Sequence, residues 1–205
     1  MIPSGEERPL QSSASQEERL RADHYRLLSR LLAGPPDDTF LQTLRTLLGD
    51  ESDLGKGLSA LGEAARSTTA AAAADEYHEL FIGMGRGELV PFGSFYLTGF
   101  LNEKPLAKLR QDMAHLGIAR ADDVHEPEDH IAAVCEIMAG LITGDFGAAA
   151  NLTDQRQFFD RHLEPWAAHF FEDLETAKAA TLYRPVGTVG RLFMGIEATA
   201  FSMMD

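Results

Sequence analysis

A single cysteine, Cys135, is the only thiol in the chain. No intrachain disulfide can form, and zinc or iron–sulfur sites built on several cysteines are excluded. Long apolar runs are also missing: no stretch approaches the roughly 20 residues that span a bilayer, so stable membrane insertion is not expected. Positive charge is scarce, with 18 Lys and Arg against 32 Asp and Glu and a net charge of −14. That field repels nucleic acid and anionic surfaces and favours cationic partners. No Arg-Arg pair occurs, so the chain carries no twin-arginine export signal of its own. Residues 1–18 lack the apolar core of a secretory signal. Cytoplasmic residence is the expectation. Strand-like alternation of convincing length and tandem repeats are absent too.

What remains is helical periodicity across 205 residues, 44% of them hydrophobic, enough for one domain or for one domain with two lobes. Residues 1–17, rich in Ser, Glu and Gln, read as a disordered or loosely attached tail. From Arg19 a stripe of Leu20, Tyr25, Leu27, Leu28, Leu31 and Leu32 runs to Gly34-Pro35-Pro36. Phe40 to Leu48 form a second helix, and Leu54 to Ala74 one or two more. An irregular, glycine-rich segment, Gly83 to Gly93, follows. Helices resume over Ser94–Asn102 and Pro105–Leu116, and a polar hinge, Gly117 to Glu126, precedes a helix over 127–143. A long helix over about 153–179, bent at Pro165, and a last one after Tyr183 complete an all-α chain of seven to nine helices. The lobes are expected at 18–116 and 127–205.

Four ionisable groups crowd the segment Glu126-Pro127-Glu128-Asp129-His130-Ile131. Proline suits a first helical turn, and acids there complement the helix dipole. Beyond them Ile131, Val134, Cys135, Met138, Leu141 and Ile142 recur at helical spacing, so carboxylates adjoin an apolar face. That pairing suits a ligand both cationic and apolar, or simply a well-capped helix. Tyr77, Leu80 and Phe81, spaced i, i+3 and i+4, form a second apolar face. Pro91-Phe92-Gly93-Ser94-Phe95-Tyr96 adds three aromatics beside the glycine-rich segment, where aromatics often serve binding.

Enzyme patterns fail one by one. His78-Glu79 lacks the second histidine of a zinc protease, since that position is Ile82. Gly83-Met84-Gly85-Arg86-Gly87 lacks the Lys-Ser/Thr of a phosphate loop, and no strand precedes it, although nucleotide binding there stays open. His162 and His169, seven apart on one expected helix, could share a metal but have no third ligand at helical spacing. Ser94, His130 and Asp129 make an imaginable triad without a nucleophile elbow. No catalytic or metal-binding residue is predicted.

Taken together, Glu76-Tyr77-x-x-Leu80-Phe81-x-Gly83, Pro91-x-x-Ser94-x-Tyr96, Glu126-Pro127-Glu128-Asp129-His130-Ile131 and His162-Leu163-x-Pro165-Trp166 with Phe170 resemble the motifs of the TorD/DmsD family. Its members are cytoplasmic redox-enzyme maturation chaperones. Order and spacing agree from about residue 19 onward. The resemblance implies a two-lobed helical bundle of the TorD-like type that is not an enzyme. It also implies binding of the twin-arginine signal peptide and immature apo form of a molybdopterin oxidoreductase, of the dimethyl sulfoxide or trimethylamine N-oxide reductase or formate dehydrogenase type. Family binding residues carry over to Tyr77, Leu80, Phe81, Pro91, Phe92, Asp129 and His130, with Ser94, Tyr96 and Glu128 from the same motifs. Where some relatives place an indole, this chain has Tyr77 and Phe92. No cofactor is required by this reading. The alternatives are a GTP-dependent maturation factor using Gly83–Gly87 and a metal or cofactor carrier using His162 and His169. A monomer or a domain-swapped homodimer through the 117–126 connection fits the expected lobes.

Overall fold

The computed structural model describes residues 15–120 and 126–204. Most of the expected 1–17 tail and the 121–125 part of the expected hinge lie outside the described residues. Among those described there are ten α-helices, one π-helical turn and no β-strand, so the all-helical reading holds and its helix count was slightly low.

Local side chains set most helix starts. α1 (Gln16–Ala33) opens on a capping box in which Ser15 Oγ accepts the Glu18 N–H and a Glu18 carboxylate oxygen accepts the Ser15 N–H. The helix therefore begins ahead of Arg19 and takes Gln16 and Glu17 from the expected tail. Asp37, Ser52 and Thr69 cap α2 (Asp38–Arg45), α3 (Asp53–Arg66) and α4 (Ala70–Tyr77) by a single bond each, their side-chain oxygens accepting the N–H groups of Phe40, Gly55 and Ala72. α5 (Gly93–Thr98) and α6 (Lys104–His115) follow the irregular segment, then α7 (Ile131–Thr143).

The long helix expected over 153–179 is two helices, α8 (Leu152–His162) and α9 (Ala167–Thr176). Pro165 lacks the N–H that would continue the ladder, and the Trp166 indole N–H donates to the His162 carbonyl at 2.7 Å. The chain turns at that point. His162 and His169 thus belong to different helices: His162 is buried against Asp112 at 2.8 Å, while His169 is exposed.

α7 is nearly all apolar and lies along α1, which also meets α10 (Tyr183–Ser202); α10 in turn packs on α9 and α3. Elements on both sides of residues 117–126 contribute to one continuous core. Where α9 and α10 cross, a Cβ at Gly190 would stand 2.2 Å from the Phe171 ring, so only glycine permits the approach. A buried acid on α10, Glu197, is fully answered from α1: Arg21 donates twice at 2.8 Å and the Tyr25 hydroxyl donates at 3.0 Å. Burying that carboxylate is tolerable because both partners are present. Glu76 on α4 performs a longer-range cap, accepting the N–H groups of Thr181, Leu182 and Tyr183 at 2.7, 3.0 and 2.8 Å. The first residue of the Glu76-Tyr77 motif therefore holds the start of α10.

Candidate functional site: an apolar groove with an acidic mouth

α4 does not continue regularly into the first motif. Residues His78–Ile82 form a π-helical turn, closed when the Gly83 N–H reaches the His78 carbonyl at 2.7 Å. Gly83 leaves it at φ +60°, a conformation glycine adopts without strain. The wider turn separates residues expected to share a face. Leu80 enters the core with no exposure, whereas Tyr77 and Phe81 remain half-buried, their rings 4.9 Å apart. Phe81 also meets the Tyr183 ring edge-on at 5.6 Å. The Tyr77 hydroxyl donates to the Leu32 carbonyl at 3.1 Å. Burial and the negative charge of Glu126 push this phenol up to about 12.

The glycine-rich segment folds back on the π turn: the N–H groups of Glu88 and Leu89 donate to Glu79 and Leu80 at 3.1 and 2.8 Å. A Cβ at Gly87 would lie 2.5 Å from the Phe81 backbone, so this glycine serves packing. The Glu88 carboxylate accepts the N–H groups of Lys178 and Ala179, which hold its pKa below the usual carboxylate range.

Two motifs distant in sequence then meet. Phe92 and His130 form an antiparallel bridge, with Ile131 N–H donating to the Pro91 carbonyl and Gly93 N–H to that of Asp129, both at 2.9 Å. The Phe92 ring stands edge-on to the His130 imidazole at 5.0 Å. α7 starts at Ile131, later than the sequence suggests, and its cap is His130: Nδ1 accepts the Ala132 N–H at 3.2 Å. Pro127, Glu128 and Asp129 precede the helix and do not sit in its first turn. Burial lowers the His130 pKa to about 4; the ring is neutral at ordinary pH, with its proton on Nε2.

Asp129 works on another helix. Its Oδ2 accepts the Ser94 N–H at 2.7 Å at the start of α5, and it is buried at 4% exposure. Its other oxygen, Oδ1, is buried with no hydrogen-bond partner among the described residues, and the residue does not line the groove. Ser94 is fully buried, and Tyr96 points away to contact Trp166 and Phe170 while its hydroxyl donates to Asp173 at 2.8 Å.

The remaining residues converge. Tyr77, Phe81, Pro91, Phe92, Glu128 and His130 line a groove of about 710 Å³, within the roughly 300–1,000 Å³ typical of ligand clefts. Leu80, Ser94, Tyr96 and Asp129 do not reach it. Sequence reasoning missed much of the wall: Ala33 to Pro35 at the end of α1, Met113, Ile118, Ile137 and Phe146. It also missed Glu136 of α7, which lines the groove, as does Glu126. Its signal was weak: one exposed acid, one turn beyond Ala132 and Ala133, on the side of α7 opposite the core. Among the described residues neither Glu126 nor Glu136 has an ion-pair partner. Glu128 does, through Arg110 at 2.8 Å and Arg120 at 3.8 Å. The groove is therefore largely apolar, with three acids, Glu126, Glu128 and Glu136, against one arginine, Arg120, among its described lining residues. No group of acids, histidines or cysteine able to hold a metal occurs among the described residues, and no described helix is long and apolar enough to cross a membrane.

Comparison with known proteins agrees with the fold and motifs. The family model for the nitrate reductase delta subunit matches residues 48–172. The chaperone protein TorD of Vibrio cholerae strain O395 is 27% identical over 166 residues, covering 75% of this chain and 76% of the relative. TorD of Vibrio parahaemolyticus is 24% identical over 173 residues, 74% and 80% of the two chains. TorD of Photobacterium profundum is 34% identical over 71 residues, 34% and 33% of the two chains. A crystal structure of a redox enzyme maturation protein from Archaeoglobus fulgidus shares the fold, with a TM-score of 0.55 at 20% identity over 93% of this chain and 99% of that one. With a helical architecture, ordered motifs and a matching family model, the chain belongs to the nitrate reductase delta subunit family, the family of the TorD chaperones.

Proposed function

We propose that the groove receives the twin-arginine signal peptide of a molybdopterin oxidoreductase, and that the protein acts as its client-specific maturation chaperone in the cytoplasm. It holds the immature apoenzyme until cofactor insertion is complete and thereby prevents premature export. The observation that carries this reading is the pairing of an apolar wall with two lining carboxylates, Glu126 and Glu136, that have no ion-pair partner among the described residues. A client leader of this kind has the matching order, an arginine pair followed by an apolar stretch.

Magnitudes assign the roles. An exposed carboxylate–arginine pair contributes about 0–1 kcal/mol. Each large aliphatic side chain that enters the groove contributes roughly 1.5–3 kcal/mol, against about 2–5 kcal/mol for ordering a flexible peptide. Apolar contact with Tyr77, Phe81 and Phe92 therefore supplies the affinity. The charges of Glu126 and Glu136 steer and orient the arginines. The remainder suits reversible binding, as release of a finished enzyme requires.

Titration of a fluorescent client leader against Phe81→Ala and against the double variant Glu126→Gln, Glu136→Gln tests the division of labour. The aromatic deletion is expected to be the more damaging at physiological salt. The reverse order would overturn the reading. Co-purification from the native host, with identification of the retained enzyme, names the client.

A further inference from the structure

Glu128 is shared by two arginines that hold it very differently. Arg110, on α6, reaches Oε2 at 2.9 Å through Nε and 2.8 Å through Nη2. Arg120 approaches Oε1 only to 3.8 Å, beyond hydrogen-bond distance. The Glu128 side chain is 11% exposed and that of Arg120 is 41% exposed. One carboxylate oxygen is thus fixed, while the other is met loosely at the groove mouth. Burial raises the Glu128 pKa, but the Arg110 hydrogen bond, the residue's own backbone N–H and the charges of both arginines outweigh it, so the group is ionised. Arg120 is moreover the one lysine or arginine among the described residues that line the groove.

We infer that Arg120 occupies the subsite of a client arginine. Its guanidinium stands on Glu128 Oε1 in place of the incoming one, and a dibasic peptide binds by displacing it. This rests on the reading of the groove as the client-peptide site and adds to it a built-in competitor. The exchange is balanced. An exposed guanidinium held at 3.8 Å loses little when it turns to solvent, and Arg110 keeps the carboxylate compensated meanwhile. The client arginine gains only the difference between the two pairs, which lowers affinity for dibasic leaders and leaves purely apolar contacts untouched.

The test compares two synthetic leaders, one with its arginine pair and one with both arginines replaced by glutamine, titrated against the full-length protein. Arg120→Gln is expected to tighten the dibasic peptide about two- to fivefold, to leave the glutamine peptide unchanged, and to lose the gain as added salt screens the site. Arg120→Lys keeps the charge and should bind like the parent. In a Glu128→Gln background, Arg120→Gln should have no effect. Weaker dibasic binding by Arg120→Gln, or equal change for both peptides, would overturn the proposal. Phe81→Ala separates the two failures. If it binds the dibasic leader as the parent does, the groove reading falls. If it binds more weakly while Arg120→Gln changes nothing, the groove stands and the competitor role falls.

Discussion

The acids around the groove divide into an inner and an outer set, and the two do opposite work. Glu76 and Asp129 turn inward and satisfy the orphan N–H groups at the starts of α10 and α5. Glu126 and Glu136 line the groove and, among the described residues, have no charged partner. The inner pair builds the walls; the outer pair is the one that, in the proposed reading, orients the client arginines. Acids within a recognisable motif can thus be architectural, as Glu76 and Asp129 are, while Glu136, outside every motif, lines the groove.

The contrast breaks first at Asp129. Asp129→Ala should lower unfolding stability by about 2–3 kcal/mol, because it strips a buried cap; Asp129→Asn, which retains an acceptor oxygen, should lose much less. Denaturant titration measures both. Leader affinity of the folded Asn variant should stay near that of the parent, and a collapse of affinity without loss of stability would move Asp129 to the outer set. Next comes Phe81→Ala, expected to weaken leader binding by about 2 kcal/mol, roughly thirtyfold, read by anisotropy.

A smaller effect concerns pH. Burial lowers the folded-state pKa of His130 from 6.5 to about 4. Above 6.5 the imidazole is neutral in both states and contributes no pH dependence. As pH falls between 6.5 and 4 the unfolded chain takes up a proton that the folded one refuses. Stability therefore declines over that interval, by about 1 kcal/mol from pH 6 to 5. His130→Gln should flatten this part of the stability–pH curve, and an unchanged slope would show that the ring takes up its proton in the folded state. The smallest change is expected of Glu126→Gln with Glu136→Gln: under 1 kcal/mol in leader affinity, salt-dependent, with unfolding midpoint unaltered.

Much of this fold was legible in the sequence because helices announce themselves through periodicity and caps. Leu28, Leu31 and Leu32 were expected to be buried, and they are. The departures share a cause, which is that tertiary hydrogen bonds override local pattern. The π turn at His78–Ile82 removes Leu80 from the face of Tyr77 and Phe81, and no residue-level signal marks it. Asp129 looked like a helix-dipole acid of α7 because its true partner, Ser94, lies 35 residues away. Pro165 signalled a bend, but only the indole of Trp166 on the His162 carbonyl makes it a full stop. The groove itself was half visible: its aromatics carried a motif, whereas Ala33, Met113, Ile137 and Glu136 read as ordinary helix residues until α1, α6 and α7 came together.

Trp166 has a practical corollary. The chain has one indole, sealed at 2% exposure under Gly93 and beside Tyr96, and absent from the groove wall. Its intrinsic emission should therefore redden when the seat of α5 melts yet stay dark to occupancy, giving an optical gauge of integrity that leaves the binding channel free for an independent label.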